Sequence, residues 1–103
     1  MKPNRRFWGI LETWPEREFQ EEVVRVAETL GWVVYHTYDS RRSGAGFPDI
    51  LAVRNGCLIV AELKSEKGKV SPEQLAWLDK LANVREMEVG LWRPSSNWMA
   101  SLI

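Results

Sequence analysis

Apolar residues recur with helical spacing between Pro15 and Leu30, and this pattern predicts the first helix of the chain. Proline suits the first turn of a helix, and Gly31 stands where a terminating glycine is expected. The predicted inward stripe comprises Phe19, Gln20, Val23, Ala27 and Leu30. The first segment is therefore an amphipathic helix that covers a core.

Four apolar segments rich in β-branched and aromatic residues predict strands at about 32–38, 49–54, 57–64 and 88–93. The second and third are joined by Asn55-Gly56, a strong signal for a two-residue hairpin because both turn positions need a positive φ. These two strands are apolar on both sides, which is typical of a sheet covered on both faces.

A second helix is predicted to begin at Ser71-Pro72 and to run to about Ala82, burying Leu75, Leu78 and Leu81. A short third helix is predicted from about Ser96. The element order is then α-β-β-β-α-β-α. It predicts an α/β (α+β) fold with a mixed central sheet flanked by helices.

Composition predicts one domain over residues 1–103, with residues 1–14 as an N-terminal extension that can contribute to an interface. Zero net charge argues against coating nucleic acid by bulk charge. The single cysteine excludes an internal disulfide and a cysteine-based zinc cluster. No signal peptide or membrane span is evident, so a cytoplasmic setting without membrane contact is expected.

The hairpin register brings acidic residues together. If Arg54 pairs with Cys57, then Asp49 lies directly opposite Glu62, with Cβ atoms roughly 4.5–5.5 Å apart. Lys64, two residues further on, shares their face. Like charges in this relation are destabilising unless something positive lies between them.

A divalent cation supplies that positive charge, because two facing carboxylates are hard oxygen ligands suited to Mg²⁺ or Mn²⁺. Such a cation would activate water and neutralise charge that develops on phosphorus. Lys64 would hold or deprotonate the water, or stabilise the pentavalent phosphorus. The alternative is a surface network in which Lys64 merely offsets the two acids.

The sequence Phe47-Pro48-Asp49, followed by Glu62-Leu63-Lys64, resembles the signature of the PD-(D/E)XK nuclease superfamily. Further segments make the chain similar to the VRR-NUC family, whose small stand-alone members are common in phages. These segments are residues 31–32, 35–37, 40–43, 46–49, 61–64, 71–74, 77–78 and 92–94. The resemblance runs from about Glu16 to Trp98.

The resemblance implies a restriction-endonuclease-like fold and divalent-metal-dependent DNA hydrolysis in a bacterial or phage-infected cell. It also implies similarity to minimal Holliday junction resolvases, which act as homodimers on branched DNA. Asp49, Glu62 and Lys64 match the catalytic signature, and the Leu63 carbonyl is an expected additional metal ligand. Glu16 is the best match to a carboxylate on the first helix. Its alternative role is a favourable acid in a helix first turn.

Other residues are candidates for DNA contact. Gln74 matches a position near the site, yet Ser71-x-x-Gln74 is also a capping box. His36, the single histidine, is either a DNA contact or a satisfied half-buried residue. Ser40, Arg41, Arg42 and Ser43 form a polar loop that can grip phosphates or be simply solvated. Lys67 and Lys69 are weaker candidates of the same kind.

The leading hypothesis is a structure-selective DNA endonuclease that works as a homodimer or higher homo-oligomer. An exonuclease or single-strand-specific nuclease is an alternative within the same chemistry. A non-catalytic DNA-binding module and a purely structural protein are alternatives of other classes. The six tryptophans are expected in the core or at a subunit interface.

Overall fold

The computed structural model describes residues 14–37 and 44–103, and the elements in these residues follow the predicted order. The helices are α1 (Glu16–Thr29), α2 (Pro72–Leu81) and α3 (Trp98–Leu102), and the strands are β1 (Val33–His36), β2 (Ile50–Arg54), β3 (Cys57–Leu63) and β4 (Met87–Trp92). The α+β fold class is therefore confirmed. None of the helices among the described residues is long and apolar enough to span a membrane.

The strands form one mixed sheet in the order β1-β2-β3-β4. The first two pairings are antiparallel, and β3 pairs with β4 in parallel through the crossover that contains α2. Asn55 and Gly56 have φ of 50° and 79°, and Arg54 pairs with Cys57. The predicted two-residue hairpin and its register are both confirmed.

Helix α1 packs its apolar stripe onto one face of the sheet. Phe19, Val23 and Ala27 are fully buried there, as predicted. Leu30 was expected on the same stripe but is 37% exposed. It is the C-cap residue, where the chain leaves the helix before Gly31 adopts a φ of 93°.

The opposite face of the sheet is only partly covered, so the prediction of a sheet covered on both faces was wrong for β2. Val53 is 41% exposed, and its ladder partner Val33 on the edge strand β1 is 74% exposed. In β3, by contrast, every residue from Ile59 to Leu63 is buried. Burial on this face is thus concentrated towards the end that follows Ile59.

The burial predicted for α2 was also wrong. No residue of α2 is buried, and Leu75 is 54% exposed. Among the strands, α2 packs chiefly against the edge strand β4, so it has little sheet beneath it. Helical periodicity identified an apolar side of α2, but the fold leaves that side without a full cover.

The C-terminal residues complete the core. Trp92 and Trp98 are 5% and 1% exposed, as expected of core tryptophans. The Trp32 indole N–H donates to the Leu102 carbonyl at 2.9 Å, which holds α3 against the segment after α1. Trp77 is only half-buried and packs edge-to-face on Phe47, with ring centroids 5.1 Å apart.

Candidate active site

The register of the β2–β3 hairpin places two carboxyl groups side by side. Ile50 pairs with Ala61, so the next residues outward, Asp49 and Glu62, face each other. Glu62 is 1% exposed, and Asp49 is close enough for its charge to act on the Glu62 carboxyl group. The expected juxtaposition of acids is present, and it lies in the protein interior rather than on its surface.

Burial and the neighbouring charge shift the acid–base behaviour of this pair. Burial of the Glu62 carboxyl, with the Asp49 charge next in importance, raises its pKa to about 8, although Lys64 opposes the shift. Burial also raises the pKa of Asp49. This rise is opposed by the Leu63 N–H, which donates to Asp49 Oδ2 at 2.8 Å. Without a cation, the pair therefore favours sharing a proton.

Lys64 lies between two acids. Its Nζ is 3.7 Å from Glu62 Oε2 and 4.0 Å from Glu16 Oε1, and its side chain is 12% exposed. The Lys64 N–H donates to the Trp92 carbonyl at 2.9 Å, so strand β4 fixes the backbone of this residue just after β3. The alternative of a solvated surface network does not fit this burial.

Glu16 is the first residue of α1, so the start of that helix lies at the site. Its side chain is 42% exposed and lines a cleft of about 890 Å³, which also contains Asp49 and Glu62. An acid in the first turn of a helix is favourable by itself. The contact with Lys64 brings Glu16 close to the acidic pair, and its expected role at the metal stays a prediction.

Gln74 belongs both to the cap of α2 and to the acidic pair. Its side-chain oxygen accepts from the Ser71 N–H at 2.8 Å, and Ser71 Oγ accepts from the Gln74 N–H at 3.1 Å. Its amide nitrogen donates to Glu62 Oε2 at 2.7 Å. The sequence posed helix cap and site contact as alternatives, and the geometry contains both.

The remaining candidates are spread around the cleft. His36 ends β1 and lines the cleft, where burial lowers its pKa while the charge of Asp49 acts in the opposite direction. Lys67 and Lys69 are exposed on the segment between β3 and α2, outside the cleft lining. Residues 40–43, the predicted phosphate-gripping loop, lie outside the described residues, so their role stays a prediction.

Some contributing residues were not singled out from the sequence. Arg17 and Gln20 line the cleft on the first turns of α1. The Gln20 position on the inward stripe was a usable signal, since a polar residue there faces the sheet. Gly46 has a φ of 82°, and a Cβ at this position would lie 2.5 Å from the Glu73 backbone. This close approach sets the loop before Asp49 against the start of α2.

Arg93 is a further residue whose role sequence patterns did not indicate. Its Nη1 donates to the carbonyls of Ser65, Glu66 and Gly68 at 2.7, 3.0 and 2.8 Å. The backbone that follows Lys64 is therefore tied to the end of β4. The Trp92-Arg93-Pro94 segment belonged to the resemblance, but no local pattern showed what the guanidinium contacts.

The donor set at the acidic pair fits a hard divalent cation. Glu62 Oε1 is buried and has no hydrogen-bond partner among the described residues, which is costly unless a ligand satisfies it. Among residues 14–37 and 44–103, no group of three or more histidine, cysteine or acidic side chains is arranged to hold a metal ion. Two carboxylates with open positions are the ligand set that Mg²⁺ commonly uses in phosphate chemistry. The expected role of the Leu63 carbonyl stays a prediction.

Comparison with known protein families finds a match for the chain. A family model described as the VRR-NUC domain matches residues 10–94. The matched range contains the cleft, the acidic pair and Lys64, and it stops just before α3. None of the curated proteins compared with the chain matches it.

Proposed function

Because the chain belongs to the VRR-NUC family of the PD-(D/E)XK nuclease superfamily, we propose that it is a divalent-metal-dependent endonuclease that cleaves branched DNA. The family makes the protein a nuclease with a DNA substrate. Metal dependence, endonucleolytic cleavage and selectivity for branched DNA are the further steps of the proposal. The observation that supports metal dependence is the Asp49–Glu62 pair, in which buried Glu62 has an unsatisfied oxygen and Lys64 beside it. Endonucleolytic cleavage and selectivity for branched DNA are proposed from the family resemblance.

The acidic pair would hold the cation. Asp49, Glu62 and the Leu63 carbonyl supply oxygen donors, and Mg²⁺ or Mn²⁺ bound there would activate water and neutralise charge developing on the scissile phosphate. Cation binding requires both carboxyl groups to be ionised. The proton that the pair favours in the metal-free protein would then be released, so the raised pKa of Glu62 does not require a catalytic proton on that residue.

Lys64 has the geometry of a charge-stabilising group. Its ammonium is 3.7 Å from Glu62 and 4.0 Å from Glu16, so two acids hold it beside the acidic pair. From there it would orient the attacking water, or stabilise the negative charge of the pentavalent phosphorus. Glu16 would fix Lys64 and add a third carboxylate to the cleft.

The cleft is acidic, and DNA must reach it through basic groups around it. Lys67 and Lys69 are exposed on the segment directly after the Lys64 strand, and Arg93 fixes this segment through its carbonyls. Together with His36 at the cleft, and with residues 40–43 of the preceding loop, these groups would contact phosphates that flank the cleaved bond.

A homodimer would place two such sites on one branched substrate. The exposed apolar side chains on the sheet face opposite α1 provide a surface for a second copy: Val33, Tyr35 and Val53 are 74%, 63% and 41% exposed. Contiguous exposed apolar residues of this kind are typical of association surfaces. Two sites related by a twofold axis would cut paired strands symmetrically.

The test is cleavage of a substrate panel with the metal varied. Purified protein is expected to cut junction and flap DNA with Mg²⁺ or Mn²⁺ and to be inactive in EDTA. Asp49→Ala, Glu62→Ala and Lys64→Ala should each reduce cleavage by about a hundredfold or more, because the first two remove a ligand of the cation and the third removes a positive charge beside the scissile phosphate. Asp79→Ala is the matched control, since Asp79 is exposed on α2 outside the cleft lining.

The outcomes separate the parts of the proposal. Full activity in EDTA would overturn metal dependence, and full activity in all three variants would overturn the assigned site. Cleavage confined to single-stranded DNA or to free ends would leave the nuclease but overturn branch selectivity. Binding of junctions without cleavage under any metal would favour a DNA-binding module on the same fold.

A further inference from the structure

The capping box at the start of α2 fixes the direction of the Gln74 amide. The Ser71 N–H donates to Gln74 Oε1 at 2.8 Å. A reversed amide would set its NH₂ group against this N–H, two donors facing each other, so the cap selects one orientation. In that orientation the amide nitrogen points at Glu62.

The two oxygens of Glu62 are thereby made unequal. Oε2 accepts the Gln74 amide at 2.7 Å and lies 3.7 Å from Lys64 Nζ. Oε1 is buried without a hydrogen-bond partner among the described residues. One oxygen is held by the protein, and the other is left for a ligand.

We infer that Gln74 is a positioning residue, which secures Oε2 of Glu62 through the cap of α2 and so reserves Oε1 for the divalent cation. The inference rests on the proposed metal-dependent function and adds a residue that acts through Glu62 rather than on DNA. It makes the Ser71-x-x-Gln74 sequence a link between helix α2 and the metal site. Hydrogen-bond partners of metal-ligating carboxylates commonly strengthen the affinity of the site for the metal.

A matched pair of variants separates positioning from capping. Gln74→Met removes the amide that contacts Glu62 and one capping bond, while methionine remains a good helix former. Ser71→Ala removes the other capping bond but keeps the backbone N–H that orients Gln74. Both variants weaken the cap, and only the first releases Glu62.

The first measurement is Mn²⁺ binding by isothermal titration calorimetry on the DNA-free protein, with the melting temperature recorded in EDTA. Gln74→Met is expected to weaken Mn²⁺ binding by about ten- to a hundredfold, the usual effect of losing such a partner. Ser71→Ala should change the affinity by less than about threefold while lowering the melting temperature similarly. Equal Mn²⁺ affinities for Gln74→Met and the wild type would overturn the inference alone.

A second variant covers the case in which Gln74→Met does not fold. Gln74→Glu keeps both capping bonds, since glutamate serves equally well at this position of the box, but it presents an acceptor to Glu62. Its Mn²⁺ affinity in the same calorimetric measurement is expected to fall at least about tenfold, and a wild-type affinity would overturn the inference. Failure of the wild type to bind Mn²⁺ would overturn the proposed function, and this inference with it.

Discussion

The β2–β3 hairpin presents two faces that are similarly apolar in sequence but are closed to different extents. On the face towards α1, every residue except the two next to the turn is no more than 2% exposed: Ile50, Ala52, Ile59, Ala61 and Leu63. On the other face, burial changes along β3, from half-buried Leu58 to Val60 at 2% and Glu62 at 1%. The closed end of this second face is where the acidic pair lies.

The difference in burial shows that the same apolar pattern can form a closed core on one face of the sheet and a partly open site on the other. Towards α1, side chains pack uniformly and hold the sheet together. On the second face, the start of α2 approaches only the Glu62 end, through Gln74. The ionisable groups at that end are shielded from solvent but are not covered by apolar side chains, so their charges interact strongly. The open end keeps apolar side chains exposed.

The largest expected effect is a pH dependence of the protein's stability, which comes from the acidic pair at the closed end of the second face. The pKa of Glu62 is about 8 in the fold against an ordinary 4.5, so the folded state keeps a proton that the unfolded state releases between these values. The metal-free protein should therefore lose stability as the pH rises through this window. At about 1.4 kcal/mol per pH unit, the loss is on the order of 5 kcal/mol at most.

Denaturant unfolding in EDTA at several pH values between about 5 and 8 measures this loss. Asp49 adds to it in the same direction, because burial raises its pKa as well. Glu62→Gln should remove most of the slope, whereas Glu66→Gln, whose carboxylate bonds to Ser95, should keep it. A stability that is flat across this window in the wild type would contradict the account of the pair.

The next effect compares consecutive residues of β3 that point to opposite faces. Ile59 is 2% exposed in the closed core, and Leu58 is half-buried on the open face. Ile59→Ala should lower the free energy of unfolding by about 2–5 kcal/mol, through lost burial and the cavity left behind. Leu58→Ala should cost about half as much or less, because its side chain already contacts water. Equal losses at low protein concentration would show that both faces are closed in the monomer.

The hairpin and its acids could be predicted from sequence because their signals are local. Asn55-Gly56 requires a turn with two positive φ values, and the turn fixes which residues oppose each other. From that register, the juxtaposition of Asp49 and Glu62 follows without knowledge of the rest of the fold. The position of Lys64 follows from the period of the same strand.

What could not be predicted depends on contacts between distant elements. Leu75 has helical periodicity like that of Val23, yet it is 54% exposed, because periodicity does not say which neighbour covers a face. The Gln74 spacing allowed a cap or a site contact, and only the approach of the start of α2 to Glu62 shows that one amide makes both. The three carbonyls held by Arg93 are likewise set by where β4 ends.

The smallest expected effect on monomer stability tests the open end of the second face. Val33 is 74% exposed on edge strand β1, so Val33→Lys buries no charge in a single copy and should change its stability by no more than about 0.5 kcal/mol. If a second copy covers this face, the same change places a charge in an apolar interface. Light scattering coupled to size exclusion should then show a wild-type dimer and a largely monomeric Val33→Lys.

Val84→Lys, at a 51% exposed valine beyond α2, is the matched control and should stay dimeric. A wild type that is monomeric at all concentrations, or a dimer indifferent to Val33→Lys, would mean that the exposed apolar side chains of this face do not mediate self-association.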